Sequence, residues 1–246
     1  MKTLLSLLIF IFIFTLLEAN DAQTIIKKLE KNLRGDYMYS TMRMIVTSKR
    51  GKRTVKIESW SKGNDDSFIK ILYPQKDKGI TFLKLDNQMW QYIPKIERTI
   101  KIPPSMMLQS WMGSDFTNDD MVKESSLEED YHAKILSREA NSATLELVPK
   151  KSAAVVWGKI IIDVDLKNAV PIKETFYDDM MKKIRVITFS HIEQHGTHRV
   201  PMVMELKPLD SDKKKNSTKI IFEKINFDAK IDRSYFTKQA LKRYSR

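Results

Sequence analysis

From Met38 to Phe227 the chain is written largely in period two. Met38, Ser40, Met42, Met44 and Val46 fall on one face of an extended segment; Val55, Ile57 and Ser59 share a face of the next, with Trp60 on the other. A strand points successive side chains to opposite faces, so this alternation gives each segment two distinct sides. The runs are short, and turn formers separate them: Lys49-Arg-Gly-Lys52, Asp86-Asn87, Lys167-Asn168, Asp178-Asp179, and prolines at 74, 94 and 103–104. The pattern predicts an antiparallel meander of about eleven strands. Residues 80–85 and 88–93 form its clearest hairpin, and 155–164 and 183–193 are among its longer runs. No internal repeat or flexible linker separates the halves, so residues 20–246 read as one mainly β domain.

Helical spacing is confined to a few places. In 21–33, Ile25, Ile26, Leu29 and Leu33 recur on one face behind Asp21 as a cap, and Gly35 is expected as a left-handed C-cap. Residues 235–244 read as a short terminal helix. At the start, Lys2 precedes an apolar run from Leu4 to Leu17, and polarity returns at Glu18-Ala19-Asn20-Asp21. That is the layout of a secretory signal peptide over residues 1–19, with a run short of the roughly 20 residues a spanning helix needs. Export to a periplasm is the expected destination. The absence of cysteine excludes a thiol nucleophile and a lipid-modified cysteine, and it leaves apolar burial to hold the fold. A net charge of +12 on an exported chain directs attention to anionic lipids or an acidic partner and away from nucleic acid.

One stretch, residues 105–129, has no β alternation. It gathers Met106, Met107, Trp111, Met112, Phe116 and Met121 with three acids, Asp115, Asp119 and Asp120. The acids match no calcium loop, which needs closer alternation of oxygen ligands and a glycine at its turn. Thr117-Asn-Asp-Asp120 instead reads as a capping-box-like helix start with acids in the first turn. The histidines of 191–198, with Glu193, lack the His-Glu-x-x-His order of a zinc pair and read as a surface hairpin. No nucleophile elbow and no phosphate-cradling glycine loop is present, so no catalytic residue and no cofactor is expected. Methionine is flexible and polarisable and suits adaptable apolar surfaces, and its concentration in a non-β insert points to a lid over the sheet.

Two motifs carry a family resemblance. Trp90-Gln91-Tyr92-Ile93-Pro94 resembles a strand of the LolA/LolB periplasmic lipoprotein carriers. The segment Ser110 to Met121, SWMGSDFTNDDM, closely resembles the LolA-like branch of outer-membrane lipoprotein-sorting proteins, in which Phe/Trp-Met-Gly-Ser-Asp-Phe follows a basic strand, here Lys95 to Lys101. The resemblance implies a half-open, strongly curved antiparallel β-barrel with an N-terminal helix and a short helical lid over its concave face. It implies a carrier with no covalent chemistry, monomeric and touching membranes peripherally. Such a carrier would hold lipid or lipoprotein acyl chains and work with an inner-membrane RND-type transporter. On that reading Met42, Met44, Trp90, Tyr92, Met106, Met107, Trp111, Met112, Phe116 and Met121 form the acyl cavity and lid, and Lys95, Arg98 and Lys101 the headgroup rim. One departure stands out. LolA proper carries Trp-x-Lys-Arg-Pro at the end of an early strand, where this chain has Trp60-Ser61-Lys62-Gly63 without the arginine and proline. The alternatives are an RseB-like lipid sensor bound to a membrane partner, and a lipid hydrolase using Asp115, Asp119 or His132.

Overall fold

A computed structural model describes residues 21–63, 65–122, 127–153 and 155–246; the signal peptide expected over 1–19 lies outside the described residues. The chain divides into two compact units, each assembled from two separate stretches: Met1–Asn32 with Ser125–Ile184, and Leu33–Glu124 with Arg185–Arg246.

The first unit holds helix α1, residues 21–33 up to the boundary at Asn32, and helix α3, Leu127–Asp130. Its strands are β7 (Tyr131–Arg138), β8 (Ser142–Pro149), β9 (Lys159–Asp165) and β10 (Val170–Tyr177), antiparallel in the order β7-β8-β9-β10. Ile25, Ile26 and Leu29 of α1 are buried as the 3.6-residue period requires. Polar side chains fasten the helix: Gln23 Nε2 donates to the Glu128 carbonyl (2.8 Å), Glu30 Oε1 accepts from Leu127 N (2.6 Å), and Asn32 Nδ2 donates to the Asn168 and Ala169 carbonyls (3.0 Å each). The run expected to begin at Val155 enters the ladder only at Lys159. Gly158 lies so close to Asp178 that a Cβ would meet the Asp178 carbonyl oxygen at 2.5 Å, and Trp157 turns aside to pack on Phe176 (5.1 Å).

The second unit contains β1 (Tyr37–Ser48), β2 (Gly51–Lys62), β3 (Asp66–Tyr73), β4 (Thr81–Leu85), β5 (Gln88–Ile93), β6 (Arg98–Lys101), β11 (Lys183–His195, from Arg185 onward), β12 (His198–Pro208) and β13 (Ser217–Asn226). Their antiparallel order is β6-β5-β4-β3-β2-β1-β13-β12-β11, with β6 at an edge. Thirteen strands lie among the described residues, where the pattern predicts about eleven. Neither ladder closes on itself, as a half-open barrel requires. Opposite Thr41/Met42 and Lys56/Ile57 the register skips Glu223 of β13 and Leu72 of β3, so the extra residues lie in β13 and β3, and bulges bend the strands that carry them.

Two local expectations change. Gly35 is not left-handed; it is needed for close approach, since a Cβ there would meet the Phe227 carbonyl oxygen at 3.0 Å and its ring at 3.2 Å. The terminal helix is broken in two. A 3-10 turn, Arg233–Phe236, precedes an extended Thr237, whose side chain accepts from Ala240 N and starts α4 (Lys238–Arg243).

Candidate functional site: an apolar sheet face and its lid

In the second unit the period of two sorts apolar side chains onto two faces. One face gathers Met44 and Val46 of β1, Val55 and Ile57 of β2, Ile69 and Ile71 of β3, Phe82 of β4, Met89 of β5, and Ile102. The other gathers Phe68, Leu83, Trp90 and Tyr92, with Ala240 and Leu241 of α4 packed over them. A one-residue step along β5, from Met89 to Trp90, crosses from one cluster to the other.

The insert expected as a lid lies on the first face. It runs from a 3-10 turn at Pro104–Met106, through a second at Trp111–Gly113, into α2 (Asn118–Val122). Its side chains fill the face rather than roof over it. Trp111 is 2% exposed and its ring lies 5.4 Å from that of Phe82. Met106, Met107, Met112 and Met121 pack against the same cluster, half-buried, together with Met42 and Ile220. Phe116 is buried.

Backbone bonds make the lid a self-contained piece. Trp111 N donates to the Phe116 carbonyl (2.8 Å), Asn118 N to Gln109 (2.9 Å), and Asp119 N to Met107 (2.8 Å). The tight reversal uses two left-handed residues, Met112 (φ 48) and Gly113 (φ 64). The capping box is reciprocal: Thr117 N donates to Asp120 Oδ2 (2.8 Å) and Asp120 N to Thr117 Oγ1 (3.1 Å).

Two of the three acids are tethers. Asp115 N donates to Thr218 Oγ1 (2.9 Å), whose hydroxyl donates back to Asp115 Oδ2 (2.7 Å). Asp120 takes both guanidinium nitrogens of Arg185, at 2.6 and 2.7 Å, in a bidentate pair whose side chains are 14% and 7% exposed. Asp119 is buried, with its backbone bonded to Met107. Reasoning from sequence missed Thr218 and Arg185. The available signal was parity: Arg185 alternates with Ile187 on the buried side of β11, an inward charge that requires a partner.

Trp111 Nε1, a donor in the lid, is buried and has no acceptor among the described residues. Lys84, 6% exposed and paired in register with Met89, also sits on the lid-bearing face, beside Phe82.

The sequence-derived site therefore divides. Met42, Met44, Met106, Met107, Trp111, Met112 and Met121 come together, and Phe116 is buried within the lid. Trp90 and Tyr92 do not join them: they lie on the opposite face under α4, which corrects their assignment to a common cavity. The cause is parity, since Met89 is the β5 residue that faces the lid. Lys95, Arg98 and Lys101 are exposed at the β5–β6 turn and on edge strand β6. Lys101 does not face the lid; its ammonium lies 5.7 Å from the centre of the Trp90 ring.

The fold resembles three solved structures: a DUF1329 family protein from Desulfovibrio piger (TM-score 0.82, 18% identity, covering 91% of this chain and 99% of that one), an outer membrane lipoprotein-sorting protein domain from Vibrio parahaemolyticus (0.78, 21%, 91% and 99%), and a LolA superfamily protein from Nitrosomonas europaea (0.73, 17%, 89% and 98%). A search of curated proteins finds no match. A family model described as an uncharacterized-protein family matches residues 63–243, nearly three quarters of the sequence. The chain belongs to that family, and its fold is the LolA-like fold of lipoprotein-sorting proteins.

Proposed function

We propose that the protein is a periplasmic carrier that binds an acylated ligand, a lipid or the acyl chains of a lipoprotein, on the lid-bearing face of its second unit. The observation that carries this reading is the lid itself. Its Trp and Met side chains occupy an apolar sheet face, and Asp115 and Asp120 tie it down through side-chain bonds to Thr218 and Arg185. An acyl chain replaces those side chains when the lid lifts. Methionine tolerates such exchange because its unbranched thioether repacks readily. Each methylene taken from water contributes ~0.8 kcal/mol, so one long chain supplies ~10 kcal/mol before the cost of ordering it. The unbonded Trp111 Nε1 fits an ester or amide carbonyl at the head of such a chain, because an unpaired buried donor costs about 1–3 kcal/mol. The chemistry is binding and release, with no covalent step, and an inner-membrane RND-type transporter is the partner that the Trp111 segment's resemblance implies.

The test is native mass spectrometry of protein purified from its periplasm without detergent, paired with uptake of a fluorescent fatty acid. The expected result is an added acyl mass and saturable uptake that Trp111→Ala alters. A bare protein mass together with no uptake of fatty acid or phospholipid sinks the reading. Photo-crosslinking from Leu108, 67% exposed on the lid, checks for the transporter: recovery of a soluble protein alone would remove that partner.

A further inference from the structure

The face of the second unit that turns away from the lid has its own chemistry. Trp60, Phe68, Trp90, Tyr235 and Tyr244 form a continuous aromatic group. Trp60 stacks on Tyr235 (4.5 Å), Tyr235 on Tyr244 (4.2 Å), and Phe68 meets both tyrosines edge-on. This group clamps the C-terminal segment. Thr81 Oγ1 donates to the Leu241 carbonyl (2.7 Å), and Ser245 Oγ donates to the Gly79 carbonyl (2.7 Å). Helix α4 is thereby fixed with Ala240 and Leu241 inward and Lys238, Gln239, Lys242 and Arg243 outward.

The outward side of α4 is therefore basic with no acid on it, and Lys101 of β6 extends it. The ammonium of Lys238 lies 4.6 Å from the centre of the Trp90 ring, and that of Lys101 lies over the same ring. The Arg243 guanidinium lies 5.3 Å from the Tyr244 ring centre. Their stems rest on aromatic faces while Lys101, Lys238 and Lys242 make no ion pair among the described residues. The carboxylates nearby are already engaged: Glu58 accepts from the Tyr39 hydroxyl (2.7 Å), and Asp232, which feels Arg243, accepts from Ser234 N (2.8 Å). A rigid face bearing several exposed cations seated over aromatic rings matches the phosphate layer of a bilayer.

We propose that α4 and β6 dock the protein on an anionic phospholipid surface, with Lys101, Lys238, Lys242 and Arg243 meeting lipid phosphates. The docking surface stands apart from the carrier reading, because it uses the opposite face of the sheet and requires no acyl uptake.

Cosedimentation of the full mature chain with phosphatidylcholine vesicles, with and without phosphatidylglycerol, tests it. Binding is expected only with the anionic lipid and falls as salt rises. Each cation near such a surface contributes about fivefold, so Lys238→Ala/Lys242→Ala weakens binding about 25-fold. Lys238→Arg/Lys242→Arg retains it. The control is Lys213→Ala/Lys214→Ala, equally exposed lysines in the loop before β13, which change binding by less than about twofold because they lie outside the docking face. Circular dichroism verifies that each variant is folded. Equal loss in both alanine pairs shows a net-charge effect and overturns the proposal. So does an absence of vesicle binding, the outcome expected if this face serves an acidic protein.

Discussion

The Asp120 carboxylate decides how firmly the lid is held. It accepts from Thr117 N and Thr117 Oγ1 and from both terminal nitrogens of a buried guanidinium. Asp120→Ala leaves Arg185 buried without its bidentate partner and is expected to cost about 3–5 kcal/mol in urea unfolding, whereas Asp120→Leu/Arg185→Met costs far less because no charge is stranded. On the other face, burial first, and then the hydrogen bond to Glu58, push the Tyr39 hydroxyl up to about 12 from an ordinary 10.0. Between those two values the unfolded chain has lost this proton and the folded one keeps it. The stability that Tyr39 contributes is therefore full below pH 10 and lost as pH climbs to about 12. In thermal melts across that window, Tyr39→Phe is expected to show a shallower decline than the natural chain.

Among elements, the lid and the C-terminal segment behave as separate covers on the two faces of one ladder. Removing Trp111, the largest side chain of the lid, creates a cavity against Phe82, and Trp111→Ala is expected to destabilise by about 3–5 kcal/mol. Limited proteolysis then cuts within 104–122 while leaving the strands intact; cleavage spread evenly over the chain would contradict an independently opening lid. The opposite cover hangs on Gly79, which is left-handed (φ 84) and so close to the C-terminus that a Cβ would meet the Ser245 carbonyl oxygen at 2.6 Å. Gly79→Ala is expected to cost about 1–3 kcal/mol and to make the last residues accessible to carboxypeptidase. Unchanged resistance to trimming would show that the segment is held without this approach.

For the molecule as a whole, the carrier reading predicts linkage between ligand and stability. A ligand present at 100 times its Kd, bound only by the folded chain, adds about 2.7 kcal/mol, which for a protein of this length raises Tm by roughly 5–10 °C. Differential scanning calorimetry with a lysophospholipid or fatty acid below its micellar concentration reads this directly. A Tm indifferent to the ligand at every concentration would leave the lid with no acyl function.

The period-two runs, the turn residues between them, the helix at 21–33 and the capping box at Thr117 were legible in the residues, because each is set by neighbours a few positions apart. The apolar character of the lid was legible for the same reason: a segment rich in Trp and Met without alternation cannot be a strand and must cover something. Which face a residue serves was harder to read. Trp90 and Tyr92 were grouped with Trp111 by motif, yet a single pleat separates them from Met89 and sends them under α4. Gly35 offered a turn to a local reading, where Phe227, far along the chain, requires its missing side chain. The partners of Asp115 and Asp120, Thr218 and Arg185, lie in strands that follow in sequence by dozens of residues. Period and propensity are local quantities and specify elements. Pairing of charges, choice of face and the seating of the lid depend on strand register and topology, which only the folded ladder establishes.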